Sequence, residues 1–219
     1  MEERKHIVIL ASGEFPTHAV PLKALHDADF VVCCDSAYAQ LTTSHLPLHT
    51  DFVVIGDGDS LTEEDKRQLG DRWLLVAEQD YNDLHKAMQW ATTHYPLSTT
   101  HFTILAATGK REDHTLGNIS YLVTFAEEYP GIDLEMLTNY GRFTSMTGSR
   151  TFATFPRQQV SIFTMEPDKP IYSEGLRWPL DGFHARRWWQ ATLNEALGTE
   201  FTISTEGHLV VFQTYNPKE

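Results

Sequence analysis

Cysteine is scarce in this chain of 219 residues: there are two, Cys33 and Cys34, and they are adjacent. Both fall in an apolar run that reads as a buried strand, where neighbouring side chains point to opposite faces. A bond between them would be strained, so both are expected as reduced core thiols. No apolar run approaches the roughly 20 residues that a membrane-spanning helix needs. The charged start Met1-Glu2-Glu3-Arg4-Lys5-His6 lacks the apolar segment and small-residue cleavage site of a signal peptide. A cytoplasmic protein without membrane attachment is the expectation.

Positive charge is also sparse. Lys and Arg number 17 against 30 Asp and Glu, a formal net charge of −13. With no basic run, a nucleic-acid partner is not expected. An acidic chain can still bind a nucleotide through the metal that accompanies the phosphates. The Gly-x-x-x-x-Gly-Lys-Ser/Thr phosphate loop is missing, as are the Gly-x-Ser-x-Gly nucleophile elbow and any paired His/Cys zinc spacing. Any phosphate chemistry in this chain would therefore rest on clustered carboxylates and a metal.

What is present is a 41% apolar sequence with 11% aromatics, enough for one large domain or two small ones. Ile7–Leu10, Phe30–Cys33, Phe52–Ile55, Trp73–Val76, Phe102–Leu105 and Leu134–Leu137 are near-continuous apolar runs. That texture predicts parallel strands covered on both faces, joined by right-handed βαβ crossovers. Leu84, Ala87, Met88 and Ala91 share one helical face, and so do Ile119, Leu122, Val123 and Ala126. After Thr147-Gly148 the pattern changes to short runs, Thr151–Phe155, Val160–Thr164, Phe201–Ser204 and Leu209–Phe212, separated by Pro, Gly and Asp. The expectation is an α/β domain with a Rossmann-like parallel sheet over residues 1–146. A small antiparallel β domain, a sandwich or partial barrel, follows over 147–219.

The polar loops follow the strands. Exits read Ala11-Ser12-Gly13, Asp35-Ser36, Gly56-Asp57-Gly58-Asp59-Ser60, Glu78-Gln79-Asp80-Tyr81-Asn82-Asp83 and Thr108-Gly109-Lys110-Arg111-Glu112-Asp113-His114. In a parallel sheet they meet at the carboxyl edge, where ligands bind. Asp57 and Asp59, flanked by glycines, can approach one hard cation; they also fit an ordinary turn with Asp59 or Ser60 as a helix cap. Asp83 suits a helix start, and Lys86 lies on its side of the helix, placed to touch a phosphate or simply to pair with Asp83. Gly109 before Lys110 and Arg111 at a helix N-terminus is a phosphate-binding arrangement, and Arg111 can grip phosphate oxygens bidentately. Asp113 fits either a metal or a cap. His114 and Asn118 share a face, although His114 also fits a plain surface position.

Taken together, Gly56-Asp57-Gly58-Asp59-Ser60, Glu78-Gln79-Asp80-Tyr81-Asn82-Asp83-Leu84-His85-Lys86-Ala87 and Gly109-Lys110-Arg111-Glu112-Asp113-His114-Thr115-Leu116-Gly117-Asn118 resemble the three motifs of the thiamine pyrophosphokinase family. Glu174-Gly175-Leu176-Arg177-Trp178-Pro179-Leu180 is similar to a segment of its C-terminal domain. The resemblance implies a nucleotide-binding α/β domain, a β-sandwich domain and a homodimer with thiamine at the interface. It implies Mg²⁺ and ATP phosphates on Asp57, Asp59, Asp83 and Asp113, with Lys86 and Arg111 adding positive charge. ATP would meet Asp35, Ser36, Ser60, Gly109, Arg111, His114 and Asn118. Thiamine would meet Gln79, Asn82, Asn194 and Trp178, the last by stacking from the partner chain; Trp178 also fits a core position in the β domain. The chain departs from the family pattern at Ser36, Asn82, Lys110 and Leu193, which stand for Gly, Thr, Gly and Ser. The reaction implied is diphosphate transfer from ATP to thiamine. Two other readings stay open: another metal- and nucleotide-dependent transferase, and a non-catalytic thiamine or nucleotide sensor.

Overall fold

The computed structural model describes residues 4–44 and 50–218. Two compact units divide the chain: Met1–Tyr121 with Tyr129–Asn139, and Leu122–Glu128 with Tyr140–Glu219.

In the first unit the apolar runs become β1 (Lys5–Leu10), β2 (Phe30–Cys34), β3 (Asp51–Gly56), β4 (Trp73–Leu75), β5 (Thr100–Leu105) and β6 (Asp133–Leu137). They lie in the order β6-β5-β1-β2-β3-β4, and every pairing is parallel. Five helices accompany them: α1 (Ala19–His26), α2 (Tyr38–Thr43), α3 (Glu63–Leu69), α4 (Asp83–His94) and α5 (Glu112–Glu128), the last running into the second unit. The central strands are covered on both faces, as their continuous apolar runs require: Ile7, Val8, Ile9 and Leu10 are all fully buried. The helix over Leu84, Ala87, Met88 and Ala91 forms as predicted, with those four side chains buried. Asn82 starts it, its side chain accepting the His85 N–H at 3.0 Å. Three helices escape the apolar-period reading for plain reasons. Helix α1 spans 8 residues with Pro21 in its first turn, α2 spans 6 residues, and α3 (Glu63-Glu64-Asp65-Lys66-Arg67-Gln68-Leu69) is held by a Thr62–Asp65 capping box, with Leu69 buried.

The second unit is antiparallel. Its strands are β7 (Gly141–Ala153), β8 (Gln158–Thr164), β9 (Ile171–Glu174), β10 (Asn194–Glu195) and β11 (Glu200–Pro217). The expected division between residues 146 and 147 falls inside β7. The runs Phe201–Ser204 and Leu209–Phe212 are one strand, β11, with a register irregularity between Thr205 and Leu209. That strand pairs with β7 on both sides of the irregularity, while its other edge pairs first with β9 and then with β8. Phe152 and Phe201 stack at 5.0 Å in a core that includes Val160, Ile162, Ile171 and Leu209.

Among the described residues no helix is long and apolar enough to cross a membrane. Both cysteines are free and buried. The parallel sheet depends on its central side chains, and Phe102 is fully buried. Phe102→Ala is expected to destabilise the protein by about 3–5 kcal/mol, read as a lowered urea midpoint with little change in slope.

Candidate functional site

The carboxyl ends of the parallel strands carry the polar loops, and three of their acids meet. Asp35, Asp57 and Asp59 each offer a carboxylate oxygen within 4.8 Å of the other two. Sheet register produces the meeting: Cys34 pairs with Ile55, so the residues that follow, Asp35 and Gly56, leave β2 and β3 side by side. Gly56 must be small there, because a Cβ would lie 2.4 Å from Asp35 Cγ. Gly58 takes a positive φ of 80° and donates its N–H to Asp35 Oδ2 at 2.9 Å. Asp35 is 1% exposed, and its other oxygen, Oδ1, has no hydrogen-bond partner. A buried carboxylate oxygen left in this state lacks the compensation that burial normally demands.

The electrostatics follow from that placement. Burial pushes the Asp35 carboxyl up to about 6; the Gly58 N–H opposes this, while the Asp83 and Asp57 charges add to it. Burial also raises Asp83, against the Lys86 ammonium, whose nitrogen lies 3.4 Å away and which is itself buried. Asp57 is lowered by the hydrogen bond from Gln79 Nε2 to its Oδ2, 2.9 Å long, and by the Asp59 N–H. Ser60 donates to Asp59 Oδ1 at 2.9 Å.

A cleft of about 260 Å³ opens among the exits of β1, β2 and β5 and the start of α4; Asp35, Asp57, Asp59 and Ser60 are not in its lining. Of the residues expected around a nucleotide, Ser36, Gly109, Arg111, His114 and Asn118 line it, together with Asn82 and Asp83. Asn118 is buried and donates from Nδ2 to Ala107 O at 2.8 Å, tying the start of α5 to the end of β5. Asn82 Nδ2 points to Asn118 Oδ1 at 3.4 Å. Arg111 and Asp113 are both exposed and pair with each other through two contacts, one of them Nε to Oδ1 at 3.0 Å. The Arg111 guanidinium holds the Asp113 carboxyl at about 2. The acidic group of three thus contains Asp57 and Asp59 from the expected metal set, and in place of Asp83 and Asp113 it has Asp35, which was expected to meet ATP. Ser12, Gly13 and Lys110 line the cleft as well; the sequence placed them in the converging loops but gave them no individual role. The signal for Lys110 was the family glycine it replaces: its φ is 65°, and Lys110 Nζ donates to Ser12 O at 2.7 Å.

In the second unit Trp178 is 51% exposed, outside the core position that was the alternative for it. Asn194 is buried and is hydrogen-bonded to the Trp178 backbone.

Two family models match. The one described as thiamin pyrophosphokinase, catalytic domain, covers residues 22–134, and the one described as thiamin pyrophosphokinase, substrate-binding domain, covers 141–212. The chain is 38% identical over 71 residues to a thiamine pyrophosphokinase of Bacillus subtilis, 31% of this chain and 32% of that protein. It is 25% identical over 103 residues to thiamin pyrophosphokinase 1 of Caenorhabditis elegans, 46% of this chain and 42% of that protein. The chain thus aligns with less than half the length of these curated relatives. Solved structures share the fold along nearly all of it. The thiamin pyrophosphokinase of Candida albicans superposes with a TM-score of 0.81 at 16% identity, covering 97% of this chain and 94% of that one. That of Bacillus subtilis gives 0.76 at 21% identity, covering 96% and 99%.

The Asp35 carboxyl carries a pH prediction. Its proton is held more tightly in the folded chain than in the unfolded one, where the pKa is 3.8. The folded chain therefore loses stability relative to the unfolded one as pH rises from about 4 through about 6. In EDTA, Asp35→Asn is expected to be the more stable protein at pH 7.5, by about 3 kcal/mol, with the gap nearly closed by pH 4. Urea midpoints of the two proteins across that range measure it, and a gap independent of pH would exclude titration of Asp35.

Proposed function

This chain belongs to the thiamin pyrophosphokinase family, and from that premise we propose that it transfers a diphosphate group from ATP to the hydroxyl of thiamine, giving thiamine diphosphate and AMP. The observation that carries the reading is the acidic group at the strand exits, with its buried, unpartnered Asp35 Oδ1. Three carboxylates this close repel one another, and an oxygen-only donor set of this kind fits a hard dication such as Mg²⁺. Asp35, Asp57 and Asp59 would hold it. When bound, Mg²⁺ neutralises charge on the phosphates and orders them for in-line displacement at the β-phosphorus.

The chain's own groups do the rest. The N-terminus of α5, Gly109 and the Arg111 guanidinium supply positive potential for the triphosphate along the cleft. Phosphate oxygens compete with Asp113 for Arg111, an exchange made easy by the exposure of that pair. Lys86, fixed in the interior, adds a positive charge that solvent screens little. Asp83 accepts the thiamine hydroxyl proton, its affinity for protons raised by burial. Gln79 holds Asp57 through Nε2 and offers Oε1 to the amino group of the pyrimidine. Trp178 is the aromatic platform for the thiazolium cation, and the active form is a cytosolic homodimer.

The test is a mixture of protein, Mg²⁺-ATP and thiamine followed by ³¹P NMR. Thiamine diphosphate and AMP should appear in equal amounts; ADP with thiamine monophosphate would overturn the reading. Asp57→Asn is expected to lower kcat by about 10²-fold or more at saturating substrates. Unchanged turnover would remove Asp57 from the metal set.

A further inference from the structure

The exposed indole of Trp178 sits at the end of a short antiparallel pairing. Leu197 N donates to Gly175 O at 3.0 Å, Arg177 N donates to Glu195 O at 2.8 Å, and Leu176 bridges Ala196. One step further the opposite backbone turns away. Leu193 has a φ of 58°, and its N–H goes to Ser161 Oγ at 3.1 Å. At that point the Asn194 carboxamide takes the place of a strand peptide. Its Oδ1 accepts the Trp178 N–H at 3.1 Å and the Glu195 N–H at 2.8 Å, and its Nδ2 donates to Trp178 O at 2.6 Å. Three of the four hydrogen bonds a carboxamide can make are thus taken inside the protein, and the residue is 5% exposed.

The indole plane is fixed from the other side. The Arg177 guanidinium lies 5.3 Å from the Trp178 ring centroid and 3.2 Å from Glu195 Oε1, and Glu195 is buried. One face of the ring lies under a cation that is itself anchored, and with the residue 51% exposed the indole keeps surface that a ligand could meet.

We infer that Asn194 is a positioning residue for Trp178 rather than a contact for thiamine: with Arg177 and Glu195 it fixes the plane and exposed face of the indole. The inference rests on the reading of Trp178 as the thiamine platform. A side-chain amide suits the task because it presents a donor and an acceptor in one plane, as a peptide does, where the left-handed turn at Leu193 has taken the peptide away. Holding the backbone on both sides of the indole removes freedom that a bound ligand would otherwise have to remove.

Steady-state kinetics on the full-length protein tests this with Trp178→Ala, Asn194→Ala, Asn194→Asp and the Trp178→Ala/Asn194→Ala double variant. Asn194→Ala should raise KM for thiamine about tenfold and leave KM for ATP in place. In the Trp178→Ala background the same change should add less than about twofold, because two residues acting through one contact are not additive. Asn194→Asp keeps both acceptor bonds and loses the donor bond to Trp178 O, so KM for thiamine should rise with this variant too; it decides the matter if the alanine variant does not fold. An equal rise in both backgrounds would overturn the positioning role, and so would a rise with Trp178→Ala but none with either Asn194 variant. An unchanged KM for thiamine in Trp178→Ala would instead overturn the platform reading, and the inference with it.

Discussion

Parallel pairing of β1 with β2 and β5, and of β2 with β3, points the end of each strand the same way, and the chemistry of the first unit depends on it. Hydrogen bonding of the ladder sets not only the direction but the register. Because Cys34 stands opposite Ile55, the first polar residue after β2 is brought against the glycine that ends β3. A shift of one residue would set Asp35 against Asp57, with a like charge in place of a hydrogen. The close approach of Asp35 to Gly56 and the N–H from Gly58 are thus consequences of strand register. The buried carboxylate they create is the one whose charge most needs a partner.

How much of this could be read beforehand depended on how strongly each residue's setting is written locally. Strands β1 to β6 were legible because strands covered on both faces are apolar along their whole length. Strand β11 was read as two because Glu206-Gly207-His208 interrupts its apolar residues, and a β-irregularity with a glycine looks like a turn in one dimension. Strand β10 is two residues long and owes its existence to β8, so no local pattern announces it. In the site, residue types were legible and partnerships were not. Asp35 and Asp57 are 22 positions apart in sequence, and only the ladder makes them neighbours. Arg111 and Asp113 were read as separate ligands, although their proximity in sequence already allowed the ion pair that forms.

Two departures from the family pattern fall at left-handed backbone positions. Lys110, in place of a family glycine, has a φ of 65°, and Leu193, in place of a family serine, has a φ of 58°. Such backbone costs a residue with a Cβ about 1–2 kcal/mol. At Lys110 the side chain returns part of that by bonding Ser12 O across the mouth of the cleft. At Leu193 the side chain is exposed, and the compensation lies in its backbone N–H, which Ser161 Oγ receives. The serine of the family pattern bears a hydroxyl that a leucine cannot replace, but the left-handed turn at Leu193, and with it the placement of Asn194, is held through the backbone.

Charge decides how a chain of net −13 would accept the triphosphate proposed for it. Before substrates bind, Lys86 is matched by Asp83 and Arg111 by Asp113, so neither brings excess positive charge until Asp83 takes up a proton or phosphate displaces Asp113. Among the described residues Asp35, Asp57 and Asp59 form no ion pair, Asp57 feeling the Lys86 charge only from a distance, and phosphate oxygens approaching them would meet repulsion at short range. A dication between the two sets of oxygens reverses the sign of that interaction, while replacing one carboxylate with an amide lowers the repulsion but also removes a ligand. In the proposed reaction nucleotide affinity and metal affinity would therefore be linked through the same three side chains. Gln79 extends the linkage toward the second substrate, because the carboxamide proposed to read the pyrimidine is also hydrogen-bonded to Asp57, one of the three.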